Sequence, residues 1–112
     1  MTKQELSHHM ELRKQLASLQ ELLASLETAG LADEAAGIRE DIASLGAEVQ
    51  QSEAAVAAWI DTVEDTPAHM IFRLRFVHCM TWPQVAKTIG GRNTANSVKL
   101  ICYRYLNANY DE

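Results

Sequence analysis

Three observations predict an all-α chain. Only two prolines and five glycines interrupt 112 residues, apolar residues recur at helical steps over two long stretches, and no stretch alternates with a strand period. The expected arrangement is an N-terminal antiparallel helical hairpin, coiled-coil-like and spanning residues 1–64. A C-terminal three-helix unit of helix-turn-helix type follows over residues 65–112.

The first helix is expected over residues 2–29. Leu12, Leu16, Leu19, Leu23 and Leu26 step by four and three, which keeps them on one stripe, while Arg13, Lys14, Gln20, Glu21 and Glu27 fall on the wet side. Gly30 stands where a left-handed closing residue is needed. A second helix over residues 32–64 carries Ala35, Ile38, Ile42, Leu45, Val49, Val56, Trp59 and Val63 in the same rhythm. It would run about 45–50 Å at 1.5 Å per residue. The short link makes the two helices antiparallel neighbours. Gly37 and Gly46 inside it are read as places where helices approach closely. Leu6, Leu22, Leu31 and Ile60 lie off the stripes and would be exposed on a lone hairpin, which points to a homodimer formed through it.

The third helix is expected to open at Thr66-Pro67, with Thr66 as the cap, and to end near Cys79-Met80. Thr81 and Gln84 form a capping box for a short fourth helix whose inner face is Trp82, Val85, Ala86 and Ile89. Its first-turn amides, near Thr81 and Trp82, are read as a phosphate contact. After Gly90-Gly91, Asn93 or Thr94 caps a fifth helix with Val98, Ile101, Cys102, Tyr105 and Leu106 facing inward. Short helix, glycine turn and longer helix is the order a helix-turn-helix requires.

Charge is distributed unevenly. Residues 1–63 hold four basic and eleven acidic groups, whereas between Thr66 and Tyr110 there are six basic groups and no carboxylate side chain, within a net charge of −5. Such asymmetry suggests a basic working end on an acidic handle, and points to double-stranded DNA as partner. Arg92, Asn93, Thr94, Asn96 and Lys99, at the turn and the start of the fifth helix, are the candidates for base or phosphate contacts. Tyr103, Arg104, Arg73 and Arg75 are candidates for holding the phosphate backbone.

The stretch from Arg75 to Leu106 resembles region 4 of bacterial sigma factors, and more closely small phage and prophage transcriptional activators with a helix-turn-helix of that kind. The matching features are Arg75-Phe76-Val77, Thr81-Trp82, Val85-Ala86, Ile89-Gly90, Ser97-Val98-Lys99 and Tyr103-Arg104-Tyr105-Leu106. The resemblance implies DNA binding in transcription control and contact with RNA polymerase. Two departures accompany it: a longer turn around Gly91-Arg92-Asn93, and no room for the sigma region that binds core polymerase. The expected function is a small phage-type transcriptional regulator. The alternatives are an adaptor or inhibitor that docks on RNA polymerase or another host nucleoprotein, and a recognition subunit for phage DNA packaging.

Catalysis is not expected, since no phosphate loop, nucleophile elbow or converging carboxylate pair is visible. No cofactor or metal is expected either. His8 and His9 point about 100° apart on a helix, and His69, His78, Cys79 and Cys102 lack the spacing of a structural zinc site. Cys79 and Cys102 read as free thiols of a reducing compartment. With no apolar run long enough to span a bilayer and no signal-peptide core, a cytoplasmic protein without membrane contact is expected.

Overall fold

A computed structural model describes the backbone of residues 1–110 and the side chains of residues 1–107. Asp111 and Glu112, which close the expected C-terminal unit, lie outside the described residues. The fold is all-helical: α1 (Lys3–Thr28) and α2 (Ala32–Ile60) form the hairpin, and α3 (Thr66–Phe72), α4 (Trp82–Ile89) and α5 (Ala95–Tyr110) form the unit packed on its root. The molecule measures 50 × 30 × 18 Å.

Helix α1 opens with a capping box. The Thr2 hydroxyl accepts from the Glu5 amide at 3.1 Å, and the Glu5 carboxylate accepts from the Thr2 amide at 3.2 Å. It closes on Gly30 at φ +75°, where the Gly30 amide donates to Glu27 and the Leu31 amide to Leu26, so that two otherwise orphaned carbonyls are satisfied. The leucine stripe faces α2, with Leu12 buried and Leu16, Leu19, Leu23 and Leu26 half-buried. Gly37 and Gly46 do not mark a close approach: a Cβ at either would meet nothing within 4 Å.

The hairpin ends earlier than its apolar rhythm suggests, at Ile60, because Val63 is buried from a turn rather than from a helix. Asp65, not Thr66, then caps α3, its Oδ2 accepting from the Ala68 amide at 3.0 Å. A carboxylate is favoured there over a hydroxyl by the positive end of the helix dipole. Beyond Phe72 the helix widens into a π-helical turn over Arg73–Val77. The His78 amide reaches Arg73 and the Met80 amide reaches Leu74, while Cys79 takes φ +56°. The widening changes the direction of side chains, and α3 with its π turn touches all the other helices.

The box at Thr81 and Gln84 forms as expected, at 2.8 and 3.3 Å. Gly90 and Gly91 take φ +79° and +66°, conformations that residues with a side chain rarely adopt. Thr94 caps α5: its hydroxyl accepts from the Ser97 amide and its amide donates to Ser97 Oγ.

One core joins the two halves. Leu6, Val56 and Ile60 of the hairpin pack with Phe72, Phe76, Val85, Val98 and Cys102. Trp59 meets the Phe72 ring edge-on at 4.8 Å, and Tyr105 meets Phe72 at 5.6 Å. Leu6 and Ile60 are therefore covered within the same chain, at 1% and 0% exposure, and no dimer is needed to bury them. Leu22 and Leu31, toward the far end of the hairpin, stay exposed at 43% and 45%.

Candidate nucleic-acid interface

Helix α5 lies on the unit with Val98 and Cys102 fully buried, Leu106 buried, and Ile101 and Tyr105 half-buried beside them. At 100° per residue its opposite face carries Asn96, Lys99, Leu100 and Tyr103, with Arg104 at one edge. Asn96, Lys99, Leu100 and Arg104 are exposed, as are Arg92 and Thr94 just ahead. The ion pairs among the described residues join Arg13 to Glu53, Arg39 to Glu27 and Arg73 to Asp61. Arg92, Lys99 and Arg104 thus face solvent with no carboxylate drawn against them. Lys99 has a ring neighbour in Tyr103, with its ammonium 5.8 Å from the centroid.

The structure gathers Arg92, Thr94, Asn96 and Lys99 around the first turns of α5, keeps Arg104 at the edge of the same face, and engages Asn93, Arg73, Arg75 and Tyr103 in other contacts. Asn93 is half-buried and donates from Nδ2 to the Gly90 carbonyl at 2.9 Å, so its side chain holds the turn. Arg73 reaches back to Asp61 at the end of α2 at 2.8 Å. Arg75 donates to the Met80 carbonyl at 2.8 Å and lies over the Trp82 ring at 4.9 Å. Tyr103 packs edge-on against Trp82 at 6.2 Å and receives the Lys3 ammonium over its face at 4.3 Å. Burial pushes the Tyr103 phenol up, with Cys102 adding to the shift and Arg75 opposing it. Arg75 and Tyr103 therefore belong to an aromatic and cationic stack at the joint between α1 and the C-terminal unit.

The first-turn amides of α4 are not open for a phosphate at Thr81 and Gln84, because the capping box occupies both. Trp82 is half-buried between Phe76 and Tyr103, in keeping with a packing role. Lys87, on α4, is a further exposed cation outside those ion pairs. It was visible in sequence only as one member of the acid-free run.

His9, considered in the sequence only as half of a histidine doublet unsuited to a metal, has a structural role that the sequence did not suggest. It is fully buried in α1, with Nε2 3.1 Å from the Phe76 carbonyl and Nδ1 2.7 Å from Ser52 Oγ. A carbonyl only accepts, so Nε2 carries a proton; in the neutral ring Nδ1 then accepts from the Ser52 hydroxyl. Burial, which favours the neutral ring, holds its pKa below the ordinary 6.5 against the opposing pull of the Phe76 carbonyl. Its sequence context, a histidine doublet among polar residues, gives no sign of a partner 67 residues away.

No group of three or more His, Cys, Asp or Glu among the described residues is placed to hold a metal ion. Nor is any described helix long and apolar enough to cross a membrane. Comparison with protein-family models, with curated proteins and with solved structures finds no match. A functional reading rests on the site itself.

Proposed function

We propose that this chain is a DNA-binding transcriptional regulator that lays the N-terminal half of α5 in the major groove, in the manner of a sigma-region-4-like helix-turn-helix. The observation that carries the reading is the outer face of α5. Arg92, Thr94, Asn96 and Lys99 are exposed together on a helix fixed by its buried Val98 and Cys102. In this reading Arg92 and Asn96 read base edges, since guanidinium and amide groups match the hydrogen-bonding pattern of guanine and adenine. Lys99, Arg104 and Lys87 neutralise phosphates and set the docking register. Two chains join through the far end of the hairpin, where Leu22 and Leu31 are exposed, and present two α5 helices to an inverted repeat.

Selection of bound duplexes from a random pool, followed by quantitative binding at several salt concentrations, tests this. An inverted repeat is expected to emerge, with affinity falling steeply as salt rises because bound phosphates release counterions. Changing Arg92→Ala together with Lys99→Ala is expected to weaken the selected duplex by at least about tenfold, with helical content unchanged. Unchanged affinity in that variant would remove α5 as the recognition element.

A second reading is favoured by Leu100, 50% exposed in the middle of the same face. An apolar side chain there suits a protein surface such as RNA polymerase better than a phosphate track. Failure of selection at low salt, together with a stable complex with polymerase, would make the chain an adaptor.

A further inference from the structure

A cleft of about 690 Å³ runs between α1 and the joint of the C-terminal unit. Its α1 wall extends from Lys3 to Ala17, about 20 Å at 1.5 Å per residue. Leu6, Met10, Phe76, Trp82 and Leu106 give it an apolar lining. Lys3, Arg13, Lys14 and Arg75 also line it, against a single carboxylate, Glu11.

Arg75 is the informative member. It is half-buried, yet no carboxylate pairs with it among the described residues. Nη1 is committed to the Met80 carbonyl, Nε is shut from solvent without an acceptor, and the guanidinium is held over Trp82. Arg13 is only partly compensated, with Nη1 3.2 Å from Glu53 but lacking an aligned hydrogen bond. A cation withdrawn from water without a counter-charge is unfavourable, and an anion entering the cleft would supply one to Arg75 and add to the partial compensation of Arg13. A concavity of this size, walled by α1, the π turn, α4 and α5 and mainly apolar, is the kind of space that takes one small molecule rather than a flat macromolecular face.

We propose that the cleft binds a small amphipathic organic anion, its aromatic or aliphatic body against Met10, Phe76 and Trp82 and its carboxylate paired with Arg75. The lysines along the α1 wall raise the local concentration of such anions. The site is independent of the DNA reading and is tested without DNA.

The full-length chain, labelled with nitrogen-15, is titrated with naphthalene-2-carboxylate and separately with the neutral naphthalene-2-carboxamide. Saturable shifts confined to amides around the cleft are expected for the acid, with the carboxamide at least about tenfold weaker. Arg75→Met is expected to remove most of that preference for the acid, and Lys14→Gln, an exposed change that leaves the core untouched, to reduce it several-fold. Lys87→Gln, outside the cleft lining, leaves it unchanged. Equal binding of acid and amide, absence of saturable shifts, or an acid preference that survives Lys14→Gln and a folded Arg75→Met overturns the proposal.

Discussion

His9 shows how one side chain can tie together parts of a fold that are remote in sequence. Its ring spans Ser52 on α2 and the Phe76 carbonyl in the π turn, the carbonyl contact requiring a proton on Nε2, in an enclosure that disfavours a charged ring. The native pKa lies below the ordinary 6.5, so the unfolded chain binds the proton more readily. The stabilising contribution is complete above that ordinary value and is lost as pH falls toward the lowered one. Urea unfolding followed from pH 7.5 to 5 is expected to show stability falling below about pH 6.5. In His9→Gln, whose amide can still donate to Phe76 but does not titrate, the curve is expected to flatten. An equally steep fall in that variant would assign the effect to other groups. Nothing near His9 in the sequence announces this role, since the partners that bury it come from two other elements.

At the scale of elements, local chemistry was the most legible part of the molecule. The Thr81-Gln84 box, the closing role of Gly30, the glycine turn before α5, the inner face of α5 and that of α4 apart from the exposed Ile89 follow from residue types at short spacing, and those physical rules act within one turn. Where tertiary packing intervenes, the same reasoning loses its grip. Val63 continues the α2 rhythm but leaves the helix, Asp65 displaces Thr66 as a cap, and the π turn at Arg73–Val77 has no local signature. Gly37 and Gly46 gave a false sign of close packing, and the open space above them has a practical outcome. Gly37→Ala and Gly46→Ala should each stabilise the hairpin by about 0.5–1 kcal/mol through lower chain entropy and better helix propensity. Thermal denaturation should register a rise of about 2–6 °C per site; a drop would reveal a contact these positions make outside the isolated chain.

For the whole molecule, the division at residue 64 that charge and spacing suggest is crossed by the core. Leu6, Val56 and Ile60 cover Phe72 and its neighbours, and the hairpin root supplies one wall of the C-terminal unit. A fragment of residues 65–112 is accordingly expected to lose most of its helical circular dichroism and its cooperative unfolding, because its exposed apolar wall removes the burial on which so small a unit depends. Cooperative unfolding of that fragment would restore the two-domain description. The shared exposure of Arg92, Thr94, Asn96 and Lys99 was legible because they lie close together in sequence around one helix start. The contacts of Arg73 and Arg75 were not legible, because their partners, Asp61, the Met80 carbonyl and Trp82, are fixed only once α2, the π turn and α4 meet.

The two cysteines end up chemically unlike for the same reason. Cys102 sits fully buried on the inner face of α5, its thiol pushed up to about 12 by desolvation and so withheld from thiolate chemistry at neutral pH. Cys79 is part-exposed where the π turn ends and lines the cleft. The native chain therefore offers a single addressable thiol, an attachment point for a spectroscopic label at the seam between the hairpin and the C-terminal unit.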